Sequence, residues 1–343
     1  DLAGRVKERA ASVSSEGQRQ DFVAASERLV GLADLLDRWL RQTLPETVYW
    51  AQRTYDRQGM PRFSLAAAPL DVGSVLKSQL FQAVPSVIMT SATITTGTSD
   101  FSYVQRRLGI PRAETLKVGS PFDYETQAQL ILLTDMPDPA GDPGAYERLT
   151  AEMIERYVLR TGGRAFALFT SYESLRRAES RLSVTLARHD VAIYSQAAGT
   201  PRHQLLADFK ADPRAVLLGT DSFWQGVDVP GEALQNVIIT RLPFSVPDQP
   251  LLQARLDAIR AAGGNPFQEL QLPEAIIKLR QGFGRLIRTR RDRGIVVVLD
   301  PRLVTRPYGK LFLASLPPCR VVRESIHGAE PVAGAERSEQ ADH

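Results

Sequence analysis

Arg164-Ala165-Phe166-Ala167-Leu168-Phe169-Thr170 is a nearly unbroken apolar run of strand length; it leads into a stretch that reads as a helix (172–188) and then a second short run, Val191-Ala192-Ile193-Tyr194. A strand that is apolar on both faces must be covered on both. Strand, helix and strand in quick succession form the repeating unit of a parallel sheet. The alternation extends in both directions. A helix over 145–160 precedes it; a helix over 201–210, strands Ala215–Gly219 and Val237–Thr240, a helix over 248–262, a helix opened by Pro273 and a strand Ile295–Leu299 follow. This pattern predicts an α/β fold, a mainly parallel sheet with helices on both faces. Ligands of such sheets sit outside the carboxyl ends of the strands, so the residues after each strand are the ones to read for chemistry.

The amino-terminal part is different. Phe22, Ala25, Leu29, Leu32, Leu36 and Trp39 recur at steps of three and four, a narrow apolar seam on a long helix that Pro45 stops. With the shorter segment before Gly17 it reads as a helical hairpin. From Thr47 come short extended runs, Val48–Gln52 and Phe63–Ala67, a helix-like stretch Ser74–Ala83, and Val87-Ile88-Met89-Thr90-Ser91-Ala92-Thr93, which has the composition of a buried strand. The Pro/Gly/Asp cluster of Met136–Gly144 reads as a surface loop, and the small polar residues from His327 as a disordered tail.

Composition narrows the function classes. A chain of 343 residues has room for two cores. Its apolar runs are too short for a membrane helix, and the start has no signal-peptide pattern. One cysteine, Cys319, and four histidines offer no zinc or iron-sulfur ligand spacing, so no metal site is expected in this chain and a reducing cytoplasm is the expected setting. Net charge is only +3, yet residues Lys278 to Arg293 hold seven cations and one acid. Only six of the 42 basic residues are lysines, a bias that suits phosphate recognition or a GC-rich genome equally.

Three strand-following stretches stand out. Thr170-Ser171-Tyr172-Glu173 has the capping-box pattern, and a helix start can also take a phosphate on its amides. Thr220-Asp221-Ser222-Phe223-Trp224-Gln225-Gly226-Val227-Asp228-Val229-Pro230-Gly231 is too long and too unusual for a simple connection. Trp224 there reads equally as a ring that stacks on a base or as a core anchor. In Gln281-Gly282-Phe283-Gly284-Arg285-Leu286-Ile287-Arg288, an apolar stripe of Ile276, Leu279, Phe283 and Leu286 accompanies a polar one of Lys278, Gln281, Arg285 and Arg288, as on one continuing helix. Each glycine costs roughly 1 kcal/mol in a helix interior, so two beside an arginine suggest close approach by something such as a phosphate. A solvated charged face is the alternative.

Ser91-Ala92-Thr93, the Phe169–Ser171 segment, Thr220–Gly231 and Gln281-x-x-Gly-Arg-x-x-Arg288 resemble motifs III to VI of superfamily 2 helicases in order and rough spacing. The wording Phe-Trp-Gln-Gly-Val-Asp-Val-Pro-Gly with Gln-Gly-Phe-Gly-Arg-Leu-Ile-Arg is similar to the DinG branch, related to the xeroderma pigmentosum group D helicases. The resemblance covers about Thr47 to Leu316. It implies a RecA-like sheet preceded by an arch-like helical segment, with residues 1–46 ending the arch-like insertion, 47–95 completing a first RecA-like domain, 96–326 forming the second, and 327–343 the tail. It further implies that Arg285 and Arg288 face nucleotide phosphates with Gln281 beside them, that Gly226, Asp228 and Gly284 serve the nucleotide, and that Ser91, Ala92 and Thr93 couple hydrolysis to movement. Thr170, Ser171, Tyr172, Thr220, Asp221 and Trp224 would contact single-stranded DNA. Five-prime to three-prime unwinding in DNA repair or replication is the activity that goes with it.

The chain lacks Gly-x-x-x-x-Gly-Lys-Ser/Thr, an Asp-Glu-x-His-like acidic box and the four cysteines of iron-sulfur helicases. All three lie upstream in the family. ATP and Mg²⁺ are therefore expected in a complete enzyme whose amino-terminal motor part is a partner of this chain, which alone is expected to be inactive. A RecA-like nucleic-acid-binding or regulatory module without catalysis remains open as a second reading. A Rossmann-like nucleotide enzyme is a third, although no Gly-x-Gly-x-x-Gly turn follows a strand.

Overall fold

The computed structural model describes residues 1–328 apart from 57, 97–100, 225–228, 230, 247 and 248. In chain order its main elements are α1 (Leu2–Ala11), α2 (Glu16–Arg41), β1 (Thr47–Tyr55), β2 (Pro61–Pro69), β3 (Ala128–Leu133), α3 (Pro143–Arg160), β4 (Ala165–Leu168), α4 (Tyr172–Ala187), β5 (Ala192–Ser195), α5 (Arg202–Ala211), β6 (Ala215–Gly219), β7 (Asn236–Ile239), α6 (Pro250–Ala261), α7 (Leu272–Phe283), β8 (Gly294–Val298), α8 (Gly309–Ser315) and β9 (Arg320–Glu324). They fall into two units. One comprises Asp1–Val87, Arg106–Pro111 and Val246–Pro266; the other comprises Ile88–Gln105, Arg112–Ser245 and Phe267–His343. Among the described residues no helix is long and apolar enough to cross a membrane.

The second unit is built on seven parallel strands in the order β5-β6-β4-β7-β8-β3-β9. Alternation along each strand divides the core in two. Phe166, Leu168, Leu217, Val237, Ile239, Val296 and Val298 face α5 and α7; Ala165, Ala167, Val216, Leu218, Ile238 and Val297 face α3 and α4. On α7 the apolar spacing becomes a buried stripe of Ala275, Ile276, Leu279 and Phe283. This is the α/β architecture expected, with β3 and β9 as additions. β3 is inserted beside β8, and β9 lies outside it as an edge strand in which only part of the sequence is apolar.

In the first unit α1 and α2 form the expected hairpin, with Ser26 Oγ donating to Ala3 O at 2.9 Å. Trp39 Nε1 donates to Ala66 O at 2.9 Å, seating the end of α2 on the antiparallel β1–β2 pair. Leu32 and Leu36 of the seam remain exposed. Helix α6, expected with the sheet, instead belongs with this pair: Arg255 Nε donates to Leu70 O at 3.0 Å.

Two elements differ from expectation. Residues 87–93 form no strand, and Ile88 is 88% exposed. An extended run becomes a strand only when neighbours take up its backbone hydrogen bonds, and no described strand lies alongside this one. The helix through Gln281 also ends earlier than its polar spacing suggests. It stops at Phe283, with Gly284 as C-cap, so Arg285 and Arg288 do not continue the face of Lys278 and Gln281. Of the tail expected over 327–343, residues 329–343 lie outside the described residues.

Candidate functional site

Because the seven strands are parallel, their carboxyl ends share one edge of the sheet. After β4 the chain enters α4, whose N-cap is Ser171 rather than Thr170. Its backbone is extended (φ −145°, ψ 149°), and its Oγ accepts from Ser174 N at 3.2 Å. Glu173 does not close the box; it pairs with Arg177, which also grips Glu147 at 2.8 and 2.9 Å. After β5 comes Gln196, which the sequence reading passed over. Its Nε2 donates to Tyr172 OH at 2.6 Å and to Ser222 Oγ at 3.0 Å; its Oε1 accepts from Thr220 N at 2.7 Å and Thr220 Oγ1 at 3.0 Å. One amide thus joins the segments following β4, β5 and β6 into a continuous polar row. Beside it a shallow cleft is lined by Thr170, Ser174, Arg177, Thr240 and Arg241. Thr220 is buried, while Ser171 and Tyr172 are exposed. The Asp221 side chain, Gly226 and Asp228 lie outside the described residues.

Trp224 is a core anchor and does not offer a base-stacking ring. It is 0% exposed, and its Nε1 donates to Phe169 O at 3.1 Å. The ring explains Gly282. A Cβ there would lie 3.0 Å from Cε3 and Cζ3 of Trp224, so the close neighbour of this glycine is an indole and not a phosphate. Gly284 serves as the helix C-cap. Arg285 is 8% exposed, and its Nε and Nη2 donate to Trp224 O at 3.2 and 2.6 Å. That carbonyl is the last described group before the 225–228 segment. The two arginines expected side by side therefore differ in placement: Arg285 is buried behind Trp224, and Arg288 is exposed on the turn after α7.

That turn is tightly held. Asp292 Oδ2 accepts from the backbone N–H of Arg288 at 2.7 Å and of Thr289 at 2.8 Å, and Oδ1 accepts from the Thr289 hydroxyl. From the other side Gln127 Nε2 donates to the carbonyls of Thr289 at 2.9 Å and Asp292 at 3.0 Å, while its Oε1 accepts from Asp123 N at 2.9 Å. Burial alone would raise the Asp292 pKa, but the Thr289 hydroxyl, the two backbone amides and the Arg293 charge outweigh it and hold the carboxyl below its ordinary range. Nearby, burial pushes the Tyr124 phenol up despite its hydrogen bond to Ser120 and the Arg288 charge.

Ser91-Ala92-Thr93 forms a turn in which Ser91 Oγ accepts from Thr93 N at 3.2 Å. It meets α7 directly. Gln281 Nε2 reaches Thr93 Oγ1 at 3.4 Å, and Arg280 Nη1 donates to Thr95 Oγ1 at 3.0 Å and to Thr95 O. Burial lowers the Arg280 pKa. The Gln281 Oε1 is buried, with no hydrogen-bond partner among the described residues. Among the described residues no group of three or more His, Cys, Asp or Glu could hold a metal ion. The arrangement suits recognition of anionic groups by guanidinium, amide and hydroxyl donors.

Residues 154–319 match a family model described as helicase C-terminal domain. The chain is 42% identical over 301 residues to the ATP-dependent DNA helicase YoaA of Escherichia coli (strain K12), an alignment covering 88% of this chain and 45% of that protein. It is 38% identical over 262 residues to the 3'-5' exonuclease DinG of Bacillus subtilis (strain 168), covering 74% and 28%, and 38% identical over 300 residues to the ATP-dependent helicase DinG of Mycobacterium tuberculosis (strain H37Rv), covering 84% and 44%. The chain thus spans less than half the length of each. Among solved structures, an XPD helicase superposes with a TM-score of 0.60 at 16% identity, covering 92% of this chain and 55% of that one. At that identity the likeness concerns the fold, which is RecA-like.

Proposed function

From the premise that this chain belongs to the DinG/YoaA family of helicases and carries their C-terminal domain, we propose that it is the second RecA-like part of a DNA-stimulated ATP hydrolase, with Arg288 as the arginine that meets the nucleotide phosphates. Residues 96–326 make up that domain, 47–95 complete the first, and 1–46 end an arch-like insertion. α6 is an excursion that packs with the β1–β2 pair. ATP, as its magnesium complex, is the substrate. Its phosphate loop and magnesium ligands come from a preceding motor part, and the setting is cytoplasmic.

The observation that carries this reading is the continuity along α7. Its Gln281 touches Thr93 of the Ser-Ala-Thr turn, and its end leads into the turn that exposes Arg288. A planar guanidinium supplies permanent charge and paired donors to a phosphoryl group gaining charge in transfer. Delivered from a second domain, it makes hydrolysis depend on closure of the cleft. Gln281, in contact with Thr93, lies where the same event can be passed to Ser91, Ala92 and Thr93. Gly226, Asp228 and Gly284 complete the nucleotide side. Arg285 acts through the Trp224 carbonyl, fixing the base of the 225–228 segment. Thr170, Ser171, Tyr172, Thr220 and Asp221 meet the backbone of single-stranded DNA, with Gln196 joining Tyr172 to Thr220.

The test is DNA-stimulated ATPase and nucleotide affinity of the complete gene product carrying Arg288→Ala or Arg288→Lys. Alanine should reduce turnover by about 10³ to 10⁵ while leaving nucleotide affinity nearly intact, and lysine should not rescue it. Near-normal turnover in folded Arg288→Ala protein refutes the assignment. By itself this chain should not turn over ATP. ATPase that co-purifies with it and disappears in Arg288→Ala would overturn that part of the proposal.

A further inference from the structure

We propose that Asp292 and Gln127 are positioning residues for Arg288, holding the turn that presents its guanidinium; this rests on the reading of Arg288 as the phosphate-facing arginine. The turn from Arg288 to Arg293 contains four arginines and lies between α7 and β8. Like charges so close in sequence repel and favour an extended, mobile loop. Here the loop is instead fixed through its backbone, from two directions.

Asp292 is 8% exposed and directs its carboxylate inward. Its two oxygens take the N–H groups of Arg288 and Thr289 and the Thr289 hydroxyl. Gln127, 3% exposed and 165 residues away in sequence, takes the carbonyls of Thr289 and Asp292. One side chain thus binds the amide side of the turn and the other its carbonyl side. The backbone around Arg288 is then fixed. Placing reacting groups within about an ångström is worth roughly 10²-fold in rate.

The Asp292 carboxylate also receives the end of the Thr220–Gly231 stretch. A Cβ at Gly231 would lie 1.8 Å from Asp292 Oδ1, so glycine alone permits this approach. The carboxylate that holds the turn carrying Arg288 therefore also packs against Gly231. A role limited to closing the chain between α7 and β8 would affect stability. A positioning role affects the catalytic step through Arg288 and no other residue.

The experiment measures DNA-stimulated ATPase, nucleotide affinity and thermal stability of the complete gene product with Asp292→Asn, Gln127→Met, Arg288→Ala, and each of the first two combined with Arg288→Ala. Asp292→Asn replaces an acceptor by a donor facing two N–H groups. Gln127→Met keeps the shape and removes the donors. Each single variant should lower kcat about 10- to 100-fold with KM for ATP changed by less than about threefold, and neither should lower the residual turnover of Arg288→Ala further, since effects passing through one group are not additive. A folded Gln127→Met protein with parental kcat overturns the proposal. So do double variants that lose the product of the single factors. If Asp292→Asn does not fold, Gln127→Met, which alters no charge, decides alone. Arg288→Ala separates the two readings: normal turnover there removes the arginine assignment and the positioning role with it, whereas a dead Arg288→Ala beside fully active Asp292→Asn and Gln127→Met removes only the positioning role.

Discussion

Replacing Trp224 with alanine distinguishes a core residue from a base-stacking one by where the loss is registered. The ring is fully enclosed between the sheet and α7, close against Gly282, and Lys278 Nζ lies 5.6 Å from its centre. Truncating a buried aromatic costs about 3–5 kcal/mol, and the Phe169 carbonyl that accepts from its Nε1 loses a partner, adding about 1 kcal/mol. The total, about 4–6 kcal/mol, is comparable to the stability of a whole domain, so the sheet unit should be largely unfolded. Trp224→Phe keeps most of the volume and loses the hydrogen bond, for about 1–3 kcal/mol. Because the two units need not unfold together, hydrogen exchange of β4 and β6 amides is the appropriate measure. Affinity for single-stranded DNA should be unchanged in folded Trp224→Phe protein. Stability of Trp224→Ala within about 0.5 kcal/mol of the parent, with weaker DNA binding, would refute the reasoning and restore the stacking role.

Single-stranded DNA should bind weakly and with little regard to sequence, losing affinity steeply as salt rises because neutralised phosphates release counterions; affinity independent of salt would contradict this. Gln196→Ala should weaken that binding without changing its salt slope, since no charge is removed, and filter binding at several salt concentrations checks it. Asp292, with its pKa below the ordinary carboxylate value, contributes stability that is present above about pH 3.9 and lost as pH falls through the lower folded value. Thermal melts from neutral pH downward should show a shallower acid limb in Asp292→Asn than in the parent. Burial pushes the Cys319 thiol up to about 11, which leaves about one thiolate in a thousand at pH 8; labelling of the native protein at the rate of an exposed thiol would contradict it.

The strands β4, β6, β7 and β8 were legible because each is apolar on both faces, and the parallel order followed from the helices between them. β3 has as clear a signal in Leu130–Leu133, but the segment before it has no periodicity to frame it. β9 reads Arg-Val-Val-Arg-Glu, the mixed pattern of an edge. Residues 87–93 have a strand's composition without a ladder, since backbone pairing is a property of neighbours. The stripe from Lys278 to Arg288 depended on the helix persisting, and Gly284 ended it one residue before Arg285. The motif glycines do mark a close approach, yet the group that approaches Gly282 comes from 58 positions upstream in the form of Trp224. Gln196, Gln127 and Asp292 have no local signature at all. Each is an ordinary polar residue whose function depends on backbone groups that only the folded chain brings to it.

The first unit is assembled from three separate segments, 1–87, 106–111 and 246–266, and this affects how the chain can be made and divided. During synthesis the helical hairpin and the β1–β2 pair emerge long before α6, which leaves the ribosome about 180 residues later. At roughly 5–20 residues per second the delay is on the order of 10–35 seconds. For that interval the surface that α6 covers has no intramolecular cover, while the whole sheet from β3 to β7 is being produced. For the same reason no single cut yields both units intact: any truncation that isolates the sheet leaves α6 attached to it as a stray amphipathic helix, or else severs the chain between β7 and α7.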